Sequence, residues 1–185
     1  MARFFLLFRT RIGDVHVVVD LAQPYLRPAT RGDGFALARL RRASLLELGS
    51  LEPADDVRFE REAAHAFEDL LASDRLDAWL LVAGGRAAGS ASMVFWQRLP
   101  YPETSWHAEL AGVYVAPALR KRGFARELCR EAVDTARARG VRYIVVHPSL
   151  GARSLYASLG FAEGNEMRFE CGLTPRARTV GRIQS

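Results

Sequence analysis

The sequence predicts an α/β protein built on one mixed sheet, mostly antiparallel but with one parallel pair of strands. An apolar run at residues 78–83 is followed by a Gly-Gly pair and a second run at 86–97, a pattern typical of a β-hairpin. Further along, an amphipathic helical pattern separates the apolar runs 109–115 and 141–147. A strand, a helix and a second strand in this order form a right-handed parallel crossover.

Composition limits the classes of protein to consider. The chain has 185 residues, 49% of them hydrophobic and 25% charged, so it can bury a sizeable core. We expect one domain at residues 25–172, an extension of unknown role at 1–24 and a basic tail at 173–185. The formal net charge is +5, but Lys121 is the only lysine, which argues against a Lys-rich segment for nucleic acid or membranes.

The number of cysteines and the lengths of the apolar runs indicate the cellular compartment. Cys129 and Cys171 are too few for a disulfide framework and lack the spacing of a metal site. The run at residues 4–8 is shorter than the ~7–15 residues of a signal-peptide core, and arginines follow it. No segment approaches the ~20 apolar residues of a transmembrane helix. We therefore expect a cytoplasmic protein without a bound metal or a membrane partner.

The first half of the chain predicts two strands and two helices. Residues 15–19 could form a strand, and the extension around them could be an edge strand, a partner-binding arm or a poorly ordered leader. Residues 25–29 form the first strand of the domain. Asp33 is the expected N-cap of a helix that runs to about residue 46, and a second helix covers 57–72. The expected core positions of the first helix are Phe35, Leu37, Leu40 and Ala43.

The second half predicts the hairpin and the crossover already described, then a short helix and a strand pair. The crossover helix covers residues 123–139, and Gly140 ends it. The short helix covers 152–159. The final strand pair spans 161–171, with its turn around Gly164.

The start of the crossover helix is the most informative segment. Four cations crowd it: Arg120, Lys121, Arg122 and Arg126. No Ser, Thr, Asp or Asn caps the helix, so its first N–H groups lack an internal partner, and Gly123 lets a ligand approach the backbone. An anion would satisfy these groups and the helix dipole. The segment predicts a phosphate or pyrophosphate site; the alternative is a solvated basic helix start.

Two motifs in this region resemble those of the GNAT superfamily of N-acetyltransferases. The run Arg120-Lys121-Arg122-Gly123-Phe124-Ala125 matches the signature R/Q-x-x-G-x-G/A. Downstream, Ser149, Ala152, Tyr156 and Gly160-Phe161 fall in the pattern N-x-x-A-x-x-x-Y-x-x-x-G-F, with serine in place of the common asparagine. The resemblance implies the GNAT fold, with six to seven strands, a central parallel pair splayed around the cofactor, and about four helices.

The resemblance also implies a set of residues that bind acetyl-CoA. The backbone around Val113, Tyr114 and Val115 would pair with the pantetheine amides. The pyrophosphate would lie on the amides and cations of the signature loop and helix start: Arg120, Lys121, Arg122, Gly123, Phe124, Ala125 and Arg126. Ser149 and Ala152 would contact the pantetheine from the second motif, although serine reaches less far than asparagine.

The chemistry implied is direct transfer of an acetyl group to a primary amine in a ternary complex. Tyr156 matches the acid that protonates the departing thiolate. The resemblance does not assign the base. Glu109 is our first candidate, with His107 and His147 as alternatives, and each of these side chains could instead be structural. Neither cysteine lies in a motif, which argues against an acetyl-cysteine intermediate.

The acceptor is expected to be a small-molecule or peptide amine, such as a polyamine or an amino-sugar. The loops expected to border its entrance are acidic, with residues Glu47, Glu52, Asp55, Asp56, Glu163 and Glu166. This charge would attract a cationic amine, although ordinary solvated acids would look the same. A non-catalytic CoA-binding module on the same fold is the competing interpretation. No nucleic-acid partner is expected, and the resemblance allows a homodimer.

Overall fold

The computed structural model describes residues 23–97, 99 and 106–164, together with the backbone of 8–12 and 15–19. The strands β1 (Phe8–Ile12) and β2 (Val15–Val19) pair antiparallel as a hairpin of their own. The prediction of a strand at residues 15–19 is therefore confirmed. Within the described part of the chain, no ladder joins this hairpin to the main sheet.

The main sheet contains five strands in sequential order. They are β3 (Tyr25–Pro28), β4 (Leu76–Ala83), β5 (Arg86–Gln97), β6 (Trp106–Val115) and β7 (Ile144–Val146). The pairs β3–β4, β4–β5 and β5–β6 are antiparallel, and β6–β7 is parallel. The predicted mixed sheet with one parallel pair is confirmed. Six to seven strands were expected, and the predicted final pair at 161–171 lies mostly outside the described residues.

Four helices flank the sheet, as the sequence predicts. They are α1 (Gly34–Glu47), α2 (Asp56–Ala72), α3 (Phe124–Ala138) and α4 (Arg153–Ala157). Short 3-10 turns precede α2, α3 and α4. Gly140 ends α3 in the left-handed conformation, with φ +74°, as its position predicts. None of the described helices combines the length and apolar character needed to cross a membrane.

The two faces of the sheet carry separate apolar cores. The helices α1 and α2 cover one face, where Leu37 and Leu40 pack against Leu80. The helix α3 and Tyr156 cover the other, where Leu128 packs among residues of β4, β5 and β6. Each fully buried leucine contributes about 1.5–3 kcal/mol, so these layers fix both helix pairs firmly on the sheet.

Two details of α1 differ from the prediction. Asp33 precedes the helix but makes no capping hydrogen bond, because its carboxylate accepts two hydrogen bonds from Arg27, at 2.7 and 2.8 Å. The first helical N–H, that of Gly34, instead donates to Glu68 of α2 at 2.7 Å. Phe35 was expected in the core but is 61% exposed, since the apolar stripe of α1 runs through its Leu37 and Leu40.

A bulge in β6 determines which side chains face each layer. Ser92 of β5 lies opposite Ala111, whereas Ser90 lies opposite Tyr114, so two residues of β6 oppose Ala91. Gly112 supplies the required positive φ, +60°. Because of the extra residue, the alternation of β6 reverses after Gly112: the side chains of Ala108 and Leu110 face α3 before the bulge, and Val115 does so after it.

Candidate active site

The parallel pair opens at one end. The residues Ala108 to Leu110 of β6 lie opposite Ile144 to Val146 of β7, and β6 then continues to Val115 with no partner in β7 among the described residues. The Ala116 N–H donates to the Ala88 carbonyl on β5 at 2.8 Å. Because backbone groups alternate in direction along an antiparallel ladder, the N–H of Val115 points to the open side. This edge can therefore bind an extended, amide-containing chain as an added strand.

A concave turn lies beyond the end of this strand and leads into α3. Lys121 and Gly123 both have positive φ, +62° and +90°. No side chain caps α3, so the first N–H groups of the helix remain available to a ligand. A Cβ built on Gly123 would come within 4 Å of only one atom outside its neighbours, Glu127 Oε1 at 3.9 Å. Left-handed residues at an uncapped helix start form an anion-binding concavity, which fits a pyrophosphate.

The cationic side chains around this turn differ in their exposure and in their contacts. Lys121, Arg122 and Arg126 are exposed. The Arg122 guanidinium lies over the Phe124 ring, 5.2 Å from its centroid. The Arg120 side chain makes two hydrogen-bonded contacts with the protein: Nε donates to the Val115 carbonyl at 2.8 Å, and Nη2 donates to Glu47 at 2.6 Å. Its predicted role in cofactor binding stays a prediction. Among the described residues, three exposed cations and the acid Glu127 thus border the concavity.

Tyr156 is buried between α4 and α3, with 8% of its surface exposed. Its ring makes an edge contact with Phe161, and no hydrogen bond to its hydroxyl is found within the described residues. Burial, and secondarily the neighbouring Cys129, raise the pKa of Tyr156 to about 12. The phenol is therefore protonated at neutral pH and can donate a proton.

Cys129 shares these surroundings. It is fully buried on α3, and burial raises the pKa of its thiol to about 12. Such a thiol is a poor nucleophile at neutral pH, because only the thiolate attacks.

Glu109 and His147 lie together at the end of the parallel pair. The His147 Nε2 is 4.0 Å from Glu109 Oε1, and the two side chains are 66% and 35% exposed. Glu109 is flanked by two buried residues, Ala108 and Leu110, that face α3, so its own side chain lies on the opposite face of the sheet. The first candidate base and one of its alternatives are thus neighbours.

His107, the other alternative, lies in an aromatic row across the sheet. It pairs with Trp96 on β5, at 6.0 Å between ring centroids, and stacks on Tyr143, at 6.2 Å. It is two residues further than Glu109 from the open end of the strand pair. This position favours a packing role for the imidazole.

The second motif lies across the opening. Ser149 is exposed, and its carbonyl accepts the N–H of Ala152 at 3.0 Å in the 3-10 turn before α4. Ala152 packs against the α3-side core. Neither contact tests a role in cofactor binding, which stays a prediction. The described residues contain no cluster of three or more His, Cys, Asp or Glu side chains that could hold a metal ion.

The acids expected at the acceptor entrance are largely paired with arginines. Asp56 accepts from Arg42, Asp55 lies 3.4 Å from Arg58, and Glu163 lies 3.1 Å from Arg153. Glu47 binds Arg120 and Tyr114. Glu166 lies outside the described residues. These arginines offset much of the negative charge of the acids, and the acceptor entrance itself stays a prediction.

Two contributors to the site were missed in the sequence. Gly112 creates the bulge, and its signal was an isolated glycine inside an apolar strand pattern. Glu47 had been assigned to the acceptor entrance, but it binds the signature arginine. A contact across 73 positions of sequence leaves no local pattern from which it could be predicted.

Comparison with known proteins agrees with this geometry. In the solved structures, the chain is similar to a predicted acetyltransferase with acetyl-CoA from Clostridium acetobutylicum (TM-score 0.72, 24% identity, covering 82% of this chain and 97% of that one). It is also similar to a GCN5-related N-acetyltransferase from Ralstonia eutropha (0.70, 22%, 80% and 98%) and to an aminoglycoside N-acetyltransferase in complex with CoA (0.62, 21%, 82% and 96%). These likenesses show the fold.

A search of the curated proteins found no match. The family model of the acetyltransferase (GNAT) family matches residues 39–161, which is more than half of the chain and includes both motifs. The chain therefore belongs to the GNAT acetyltransferase family.

Proposed function

We propose that this protein transfers the acetyl group of acetyl-CoA directly to a primary amine within a ternary complex. The observation that carries the proposal is the continuity between the end of β6, whose β7 side has no ladder partner among the described residues, and the uncapped start of α3. One offers backbone groups to a pantetheine arm and the other offers N–H groups and cations to a pyrophosphate. Few ligands besides CoA combine these two parts.

The cofactor contacts follow from this arrangement. The Val115 N–H, directed into the opening, would pair with the pantetheine, and the backbone of Val113, two residues earlier, would complete that edge. The amides of Gly123, Phe124 and Ala125 would hold the pyrophosphate. Exposed cations would add charge from the rim of the turn: Lys121, Arg122 and Arg126. Ser149 and Ala152 would contact the arm from the opposite side.

Tyr156 is the proposed general acid. The amine nitrogen attacks the thioester carbonyl, the carbon–sulfur bond breaks, and the thiolate takes the phenolic proton. Burial raises the pKa of Tyr156 to about 12, so the phenol carries its proton at neutral pH and can give it to the thiolate. Such a positioned acid contributes typically ~10²–10⁴-fold to a rate.

Glu109 is the proposed base, which takes the proton that the amine loses. Its carboxylate lies on the α1–α2 face of the sheet, near the open end of the strand pair, and is reachable from solvent. His147, 4.0 Å away, is placed to pass the proton on to solvent. The acceptor would therefore approach on this face, opposite α3, and we propose a small-molecule or peptide amine.

The test is turnover with a panel of amines, followed by thiol release from acetyl-CoA. The panel contains a polyamine, an amino-sugar and a peptide with a free amine. The Tyr156→Phe variant should lose about 10²–10⁴-fold in kcat while binding CoA normally. Tyr25→Phe, on the exposed edge strand β3, is the matched control. Equal rates for wild type and Tyr156→Phe would remove the phenol as the acid.

A second outcome would redirect the proposal. Tight CoA binding without turnover of any amine would favour a non-catalytic CoA-binding module on the same fold.

A further inference from the structure

Three polar side chains connect α1 to the signature loop. Glu47, the last residue of α1, accepts a hydrogen bond from the Tyr114 hydroxyl at 2.7 Å and a second from Arg120 Nη2 at 2.6 Å. Arg120 Nε donates to the Val115 carbonyl at 2.8 Å. The guanidinium also lies over the Tyr114 ring, 5.6 Å from its centroid. The guanidinium thus bridges α1 and the end of β6.

The charges in this group support one another. The hydrogen bonds from Arg120 and from Tyr114 lower the pKa of Glu47, so its carboxylate is ionised at neutral pH. Burial is the main cause that raises the pKa of Tyr114, so the phenol keeps its proton and remains a donor. Both oxygens of Glu47 therefore stay occupied, one by each partner.

These contacts hold the segment between β6 and the start of α3. Between Val115 and Arg120 the chain makes a 3-10 turn, Pro117–Leu119, and the concavity begins immediately after Arg120. The Arg120–Val115 hydrogen bond closes this segment into a loop of fixed size. Because Glu47 holds the same guanidinium from the other side, Arg120 cannot turn toward solvent without losing two charge-assisted hydrogen bonds.

We propose that Glu47 is a positioning residue for acetyl-CoA, which fixes the phosphate-binding turn relative to the pantetheine-binding edge of β6 by holding Arg120 in place. This inference rests on the proposed function. A CoA molecule must engage both parts at once, so its affinity depends on the distance between them. Glu47 sets that distance in advance, and ligand binding need not order the loop.

The size of the effect follows from the side chain that would become mobile. Ordering one long side chain on binding costs enough to weaken affinity by about 3- to 10-fold. Glu47→Ala should therefore raise the Kd for CoA, and the KM for acetyl-CoA, by about this factor. The kcat at saturating acetyl-CoA should change less than KM, because the contacts of Glu47 are with Tyr114 and Arg120.

The experiment is a double-mutant cycle on CoA affinity, measured by titration calorimetry. Glu47→Ala and Arg120→Ala should each weaken CoA binding, and the double variant should bind no worse than Arg120→Ala alone. Glu47→Gln, which keeps the shape but not the charge, covers the case in which the alanine variant fails to fold. Glu60→Ala is the matched control, because Glu60 also pairs with an arginine, Arg42 at 3.5 Å, but on α2.

The following results would overturn the inference that Glu47 positions the turn. A melting temperature that falls in Glu47→Ala with an unchanged Kd would reduce the contact to a structural one and overturn the inference. Additive losses in the double variant would do the same, since they would mean that Glu47 acts independently of Arg120. Failure of the wild type to bind CoA would instead overturn the proposed function, and the inference with it.

Discussion

Gly123→Ala tests the phosphate-binding turn most directly. The residue has φ +90°, and its Cβ would project into the concavity at the start of α3 without meeting protein atoms closer than 3.9 Å. The substitution therefore strains the backbone and places a methyl group where the ligand should lie. The strain costs about 1–2 kcal/mol of folding stability. Losing even one charge-assisted hydrogen bond to the ligand costs about 1.5–3 kcal/mol, which raises the Kd for CoA by about 10- to 100-fold.

Gly140→Ala is the matched control for this variant. It lies at the other end of the same helix with φ +74°, and its Cβ also meets nothing within 4 Å. Both variants should lose similar stability in urea unfolding, since the strain is the same. Calorimetric titration should show weakened CoA binding for Gly123→Ala alone.

Two results would refute the reasoning. Wild-type affinity in Gly123→Ala would show that the concavity does not hold the ligand. Equal weakening in both variants would show that the effect arises from strain in α3 and not from the space at its start.

Three further predictions concern packing, pH and charge. Gly34→Ala should lower the free energy of unfolding by about 1–3 kcal/mol, because its Cβ would lie 2.7 Å from the Ala64 carbonyl oxygen. Arg27 lowers the pKa of Asp33 to about 2, below its ordinary 3.8. The Asp33 carboxylate therefore stabilises the fold above pH 4, and this contribution, on the order of 2 kcal/mol, is lost between pH 4 and 2. In urea unfolding, Asp33→Asn should remove this pH-dependent part of the stability. Glu127→Gln should lower the Kd for CoA a few-fold, since it removes an acid that lies beside the turn.

Controls for these predictions come from the same elements. Gly151→Ala adds a Cβ that meets nothing within 4 Å, so its stability should hardly change. Asp69→Asn, at an exposed position of α2, should keep the acid-dependent loss of the wild type. Glu131→Gln, one turn further along α3 than Glu127, should leave CoA affinity nearly unchanged. A Glu127→Gln variant that binds CoA more weakly would contradict the electrostatic argument.

Local patterns in the sequence were sufficient for most of the fold. The Gly-Gly turn predicted the β4–β5 hairpin because a tight turn with two positive φ angles requires glycine. The helical spacing of apolar residues predicted α3, and Gly140 predicted where it ends. Phe35 was assigned to the core wrongly, since periodicity alone does not show where the buried stripe of a helix is centred.

Contacts between distant residues account for what the sequence could not show. Asp33 carries a typical capping side chain, but Arg27 takes its carboxylate and Glu68 of α2 caps the helix instead. The acidic loop after α1 suggested an attractive entrance for a cationic amine, yet Glu47 is committed to Arg120. In both cases an arginine decides the role of an acid. Arg27 and Asp33 are six residues apart and Glu47 and Arg120 are 73 apart, and neither pairing follows from a periodic pattern in the sequence.

The bulge at Gly112 determines which side chains of β6 face α1 and α2 and which face α3. Before the bulge, Glu109 projects to the α1–α2 face, because its neighbours Ala108 and Leu110 face α3. With regular alternation, Tyr114 would share the face of Ala108 and point toward α3. The extra residue turns Tyr114 toward Glu47, and it leaves the Val115 N–H directed to the open side. The cofactor edge and the positioning contact therefore depend on one irregularity in β6, so removing it would disturb both together, whereas Glu109 lies before it.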